Sequence, residues 1–208
     1  VRSATHLPVT VKTRLGWDAA SIQIIEVAKM LEDEGVQALA VHCRTRAQGH
    51  KGDVDYAWIP RIKAAVKIPV ILNGDIVSPQ TARKAFDDTG CDAVMIGRAA
   101  IRHPWLFREI RHHLETGRVL AAPTQAERAE LCLHHLRLSV THSGERYGII
   151  SMRRHYGGYF RGVRGAAQLR GELCGLRELE PIETRLQELA SVTDDVEAAV
   201  AGHEVDLG

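Results

Sequence analysis

Ile68-Pro-Val-Ile-Leu-Asn-Gly-Asp-Ile-Val-Ser-Pro79 and, about twenty residues further on, Cys91-Asp-Ala-Val-Met-Ile-Gly-Arg-Ala-Ala100 share one pattern. In each, an apolar run with the character of a fully buried strand stops at a glycine beside a polar or charged residue, and a helical pattern follows. Repetition of that unit predicts a parallel β/α barrel. Such barrels carry their chemistry on the loops at the carboxyl ends of the strands, and the last two loops commonly bind a phosphate. Asn73-Gly74-Asp75 and Gly97-Arg98 are therefore the first candidate binding residues.

Working outward, Pro8 to Arg14 is a β-branched run whose alternation puts Thr10, Lys12 and Arg14 on one face and Val9, Val11 and Thr13 on the other. Asp18 or Ser21 is expected to cap the next helix, with Ile22, Ile25, Ala28, Lys29 and Leu31 as its stripe and Gly35 as its stop. Val36 to His42 is a second strand, followed by the long polar loop Cys43 to Gly52 and a helix from about Tyr56 to Val66. Ile68 to Leu72 is the third strand; Ser78 caps and Pro79 opens its helix, which Thr89-Gly90 ends. Ala93 to Ile96 is the fourth strand, after which Pro104 opens a further helix. Four strand-helix units in about 110 residues make half of an eightfold barrel.

Beyond the linker Leu120 to Thr124 no strand pattern occurs. Thr124 caps a helix to about His142 with Leu131, His134 or His135, Leu138 and Thr141 inward, and Ile149 to Phe160, Ala166 to Leu173 and Glu180 to Leu189 are shorter helices. The expected organisation is α/β: a partial (β/α) TIM barrel, its second half with four parallel strands, over residues 1–119. A small helical bundle follows over 120–201, and a frayed tail over 202–208.

The 208 residues are 45% hydrophobic and 25% charged, the make-up of an ordinary globular protein, and a net charge of +1 gives no hint of a nucleic-acid partner. The distribution does: from Glu145 to Glu178 seven arginines face three acids, whereas from Glu178 onward Arg185 is the only strong base among nine carboxylates. Cys43, Cys91, Cys132 and Cys174 form no Cys-x-x-Cys pair, so neither a disulfide framework nor a zinc site is expected and a reducing cytoplasm fits. No apolar run approaches the ~20 residues that span a bilayer. Val1 to His6 lacks a starting Met and reads as the last turn of a helix from something longer.

Lys12, His42 and Asn73 fall at the carboxyl ends of successive strands, with Gly97 and Arg98 at the fourth. A cation, an imidazole, a carboxamide and a guanidinium gathered at an apolar rim each need a partner when desolvated, and an anion serves them all. A phosphate suits the glycines, which allow close backbone approach. Taken singly, Lys12 and Arg14 read equally as rim charges paired with Asp18 or Asp53, His42 as a core histidine, and Asn73-Gly74-Asp75 as a turn. Cys132, His134 and His135 make no metal site, since neighbouring histidines point to different helix faces.

Val9 to Asp18, Val41-His-Cys-Arg-Thr-Arg-Ala-Gln-Gly49, Pro69 to Ile76, and Val94 to Ala100 followed by Pro104-Trp-Leu-Phe107 resemble the successive motifs of the tRNA-dihydrouridine synthases, most closely the bacterial B-type subgroup. Arg153-Arg-His-Tyr156, Tyr159 to Ala166 and Leu169-Arg170 are similar to that family's RNA-binding helical domain. The resemblance implies an FMN-dependent enzyme that uses NADPH to reduce the C5–C6 double bond of uridines in tRNA, with a cysteine protonating C5. It implies that Lys12 and His42 contact the isoalloxazine side of FMN, where a cation stabilises the anionic reduced ring. It assigns Asn73, Gly74, Asp75, Gly97 and Arg98 to the ribityl phosphate, Arg14 and Arg44 to the substrate, and Arg153, Arg154, His155, Arg161 and Arg170 to tRNA. The loop bearing the family's general-acid cysteine has no counterpart here, and neither Cys43 nor Cys91 is a substitute. The chain alone is therefore expected to be inactive, and the outer strands of a half barrel are expected to self-associate. Two alternatives stand: a catalytically silent RNA-binding remnant, with Tyr156, Tyr159 and Phe160 as stacking residues, or another FMN-dependent β/α-barrel oxidoreductase.

Overall fold

The computed structural model describes residues 4–191, so part of the expected turn at 1–6 and all of the tail at 202–208 lie outside the described residues. The chain divides into two compact units, one formed by residues 1–100 and 106–120 and the other by residues 101–105 and 121–208.

The first unit is built on a parallel sheet of four strands, β1 (Thr10–Arg14), β2 (Ala38–His42), β3 (Val70–Asn73) and β4 (Ala93–Met95), in the order β1-β2-β3-β4. Its helices are α1 (Ile24–Asp33), α2 (Trp58–Ala65), α3 (Pro79–Thr89) and α5 (Leu106–Thr116), with the short α4 (Arg98–Arg102) leading into the second unit. Leu39, Val41, Val70 and Leu72 are fully buried together with Ile59, Ile62, Ala82 and Ala85 from the helices. Burial of that kind removes apolar strand and helix faces from water at ~25 cal/mol per Å².

Local chemistry sets the boundaries. Ser78 accepts the Thr81 N–H at 3.1 Å, Thr81 returns the contact to the Ser78 N–H at 3.0 Å, and Pro79 opens α3. Gly90, at φ 62°, ends it, a conformation that costs glycine nothing. Two expectations need correction. Asp18 caps only a single 3-10 turn, Ala19–Ser21; α1 begins later, at Ile24, behind Gln23. The face of α1 that packs inward is led by Ile24 and Ala28, while Lys29 is exposed and pairs with Glu26 at 3.4 Å. The helix expected after Pro104 is α5, and the short α4 precedes it.

The second unit is helical: α6 (Gln125–Ser143), α7 (Glu145–Tyr159), α8 (Ala166–Gly175) and α9 (Leu179–Ala190). A capping box between Thr124 and Glu127 starts α6. At Gly148 a Cβ would lie 2.6 Å from Val140 Cα, so glycine is what lets α6 and α7 approach. The phase expected for α6 was off by one position: Ala129, Cys132, Leu133 and Leu136 face inward, Leu138 is 54% exposed and Thr141 is exposed. Among the described residues no helix is long and apolar enough to cross a membrane, and no three His, Cys, Asp or Glu side chains cluster as a metal site.

Candidate functional site

The sheet register lines up the carboxyl ends of the strands. Arg14 pairs with His42, His42 with Asn73, and Asn73 with Met95, so these four share one row across the rim. Lys12 pairs with Ala40, one pleat further back. The Asn73 side chain adds to the ladder at its last pair: its Nδ2 donates to the Met95 carbonyl at 2.9 Å. His42 is 6% exposed. Burial first, and then the charges of Arg14, Lys12, Arg44 and His50, push its imidazole down to about 4, so it is uncharged at neutral pH.

Beside this row lies an open hollow of about 90 Å³. Its walls include His42, Asn73, Gly74, Asp75, Gly97 and Arg98, which is every expected cofactor residue except Lys12, together with His50, Ile76, Val77 and Ala99. The two glycines differ in what they do there. Gly74 has φ 132°, and a Cβ on it would lie 2.8 Å from Val54 Cγ1 and 3.4 Å from His42 Cδ2; the protein itself requires glycine. Gly97 has no such φ, and a Cβ there would meet no protein atom within 4 Å.

Arg44 and Arg14 both donate to groups of the protein itself. Arg44 is 3% exposed, and its guanidinium donates to both Asp75 carboxylate oxygens, at 3.0 and 2.5 Å, and twice to the Gly52 carbonyl, at 3.1 and 2.7 Å. Arg14 Nη1 donates to the carbonyls of Thr45 and Gly49 at 2.7 and 2.8 Å; it pairs with neither Asp18 nor Asp53. Both cations therefore hold the loop after β2. The side-chain bonds from Arg44 keep the Asp75 carboxyl below the usual carboxylate range. Asp75, at φ 48°, is a non-glycine residue in the left-handed region, which aspartate tolerates better than most. Arg98 meets Asp75 only at 3.4 Å and its side chain is 62% exposed, leaving its donors available.

Two residues of this neighbourhood escaped the sequence reading. His50 lines the hollow with its ring 6.0 Å from His42. Tyr56, whose hydroxyl donates to the Gly74 carbonyl at 2.5 Å, carries no signal in the sequence, because a tyrosine before a helix is ordinary. Cys43 is fully buried, and burial pushes its thiol up to about 12; Cys91 is also buried and raised. Neither supplies a ready thiolate.

In the helical unit Arg154, Arg161 and Arg170 are exposed, and Arg153 is half-buried. The Arg154 Nε donates to His155 Nε2 at 3.1 Å. His155 is half-buried with its ring 4.8 Å from that of His135, and burial, then Arg154, lowers its affinity for a proton. Tyr156, Tyr159 and Phe160 are not stacking residues: they are 0%, 3% and 1% exposed and form part of the helical core.

Residues 1–195 match the family model described as Dihydrouridine synthase (Dus). The chain is 45% identical over 177 residues to tRNA-dihydrouridine synthase B of Pseudomonas aeruginosa, covering 85% of this chain and 53% of that protein. It is 42% identical over 180 residues to a probable tRNA-dihydrouridine synthase 1 of Synechocystis sp. (86% and 50%), and 42% identical over 199 residues to tRNA-dihydrouridine synthase B of Xanthomonas campestris pv. campestris (96% and 58%). The chain thus spans about half the length of the curated relatives it matches. From the motifs at the strand ends to the helical unit, the chain belongs to the dihydrouridine synthase (Dus) family.

Proposed function

We propose that the four-stranded sheet is one part of an eightfold (β/α) barrel whose rim binds FMN, and that the protein reduces uridine to 5,6-dihydrouridine in tRNA with NADPH as the source of electrons. The observation that carries this reading is the hollow that gathers His42, Asn73, Gly74, Gly97 and Arg98 at one end of the strands. Its fit to a phosphate rests on Gly97. Neither backbone conformation nor a protein neighbour demands glycine there, so the space a Cβ would fill is left for a ligand. Arg98 has donors to spare, and the Asp75 charge that would repel a phosphate is answered by the buried Arg44.

In this reading Gly97 and Arg98 hold the phosphate. His42, neutral at working pH, offers a hydrogen bond without competing for the charge, and Lys12 is the cation one pleat behind it. FMN, when bound, supplies the electron pair that reduces the C5–C6 bond. Arg154, Arg161 and Arg170 would meet tRNA phosphates; their exposure supports this. Arg14 and Arg44 act by fixing the loop that walls the site. Among the described residues no thiol lines the hollow, so the proton delivered to C5 would come from a group outside it. Residues 1–119 would form the barrel part and residues 120–201 the tRNA-binding part. β1 and β4 are edge strands of the described sheet, and self-association through them would follow.

Titration of the 208-residue chain with FMN, read by quenching of flavin fluorescence, tests the site. Saturable binding weakened at least tenfold by Arg98→Ala is expected. Binding that is absent, or unchanged by that substitution, would remove the flavin assignment.

A further inference from the structure

In the helical unit, α7 and the turn after α8 border a second hollow, of about 270 Å³, lined by Arg146, Ile149, Ile150, Arg153 and Arg177. Arg146, Ile149, Ile150 and Arg153 recur at i, i+3, i+4 and i+7 along α7, so one helix face supplies two cations and the apolar floor between them. Arg177 adds a third cation from across the hollow. Three guanidinium groups around one small space repel each other, and folded chains ordinarily answer such crowding with carboxylates. Here they do not: among the described residues none of the three forms an ion pair with a carboxylate. The nearby acid of the same helix, Glu145, is engaged by the backbone, accepting the Leu179 N–H at 3.0 Å. In addition, the Arg153 Nε is buried without a hydrogen-bond partner among the described residues, so the chain itself does not satisfy this guanidinium.

The floor narrows the choice of ligand. Ile149 is 1% exposed and packs into the helical core, but its neighbour Ile150 is 47% exposed at the hollow. An inorganic anion would leave that surface wet. A ligand with an apolar face beside a compact multi-oxygen anion would cover it while presenting phosphate oxygens to the planar guanidinium forks.

We propose that this hollow is a nucleotide-binding pocket that takes one unstacked nucleotide of the RNA, with its phosphate on Arg146, Arg153 and Arg177 and its base or ribose against Ile150. The proposal rests on the tRNA reading above and deepens it, because it assigns to RNA two arginines and an isoleucine that the motifs do not mark.

The test measures binding of an unmodified tRNA transcript by the 208-residue chain over a series of salt concentrations. The variants are Arg146→Gln, Arg177→Gln and Ile150→Ser, with Arg137→Gln as control, since Arg137 is paired with Glu183 at 2.6 Å. Arg146 and Arg177 are exposed and have no ion pair to lose, so their variants should melt with the parent. Each arginine variant is expected to lower the magnitude of the salt slope by about 0.7, the value for one single-stranded phosphate contact, and to weaken binding about fivefold at 0.1 M salt. Ile150→Ser should weaken binding without changing the slope, and Arg137→Gln should change neither. If the parent binds tRNA with a steep salt dependence and the arginine variants match it, the pocket is refuted while the tRNA reading stands. An equal loss in Arg137→Gln would reduce the effect to general charge and also refute it. If the parent does not bind tRNA, both fall. Binding of poly-glutamate with the same dependence on Arg146 and Arg177 would overturn the assignment to RNA.

Discussion

Replacing Asp75 with Asn is the sharpest probe of how the rim is held. In the parent protein the Arg44 guanidinium, 3% exposed, is satisfied by two bonds to the Asp75 carboxylate and two to the Gly52 carbonyl. Asparagine preserves the shape and one acceptor, but sets an NH2 group against a guanidinium N–H and removes the charge. The loss is one charge-assisted hydrogen bond, worth about 1.5–3 kcal/mol. The Asp75 side chain is 40% exposed, so water screens the pair and the lower end applies: about 1.5–2 kcal/mol. With a urea m-value of about 1–3 kcal/mol/M the midpoint should fall by roughly 1 M. Asp75→Ala should cost about 1 kcal/mol more, because alanine tolerates φ 48° less well than aspartate or asparagine. The pH dependence gives a second arm. A carboxyl lowered in the folded state contributes stability that is fully present above its unfolded value of about 3.9 and is lost as pH falls through the folded value. The gap between parent and Asp75→Asn should therefore be constant from pH 5 to 7 and close below about pH 4. An unfolding free energy for Asp75→Asn within about 0.5 kcal/mol of the parent at pH 7, the scatter of unremarkable surface changes, would refute this account of Arg44 and Asp75.

Gly97→Ala should leave stability within about 0.5 kcal/mol of the parent, yet weaken FMN binding in the fluorescence titration; equal FMN affinity would mean the space beside Gly97 is not used. Gly74→Ala should behave oppositely and destabilise by about 2 kcal/mol or more in urea, since its Cβ meets Val54 and its φ is 132°. His42, lowered to about 4, should show no imidazole titration between pH 6 and 7 by NMR. Because its folded value is depressed, the unfolded chain takes up a proton first, so stability should decline as pH falls from about 6.5 towards 4. His42→Gln should flatten that decline.

The parallel strands were legible in the sequence as continuous apolar runs; Leu39–Val41 are buried throughout, whereas in β3 Val70 and Leu72 are buried and Ile71 between them is half-buried. The starts of α3 and α6 were legible because Ser78 and Thr124 carry their capping chemistry in the chain. What was not legible is direction. A charge after a strand looks the same whether it grips carbonyls, as Arg14 and Arg44 do, or faces a ligand, as Arg98 can. The α6 stripe was ambiguous because Leu131, Leu133, Leu136 and Leu138 fit two helical phases, and only packing against α7 and α9 selects Leu133 and Leu136. The same limit applies to Tyr156, Tyr159 and Phe160. Interleaved with arginines they resemble a base-stacking surface, but helical periodicity turns all three inward.

The way Arg14 and Arg44 hold the segment after β2 has a kinetic consequence. Its carbonyls at Thr45, Gly49 and Gly52 are tied to side chains, and its amides at Arg46 and Ala47 donate to Gly16 and Trp17 at 2.9 and 2.8 Å. A segment fastened at both its donors and its acceptors travels with the sheet and does not swing over the site like a gate. Entry should then be set by diffusion and charge alone: association rates for a phosphate ligand should fall smoothly with ionic strength and show no plateau at high ligand concentration.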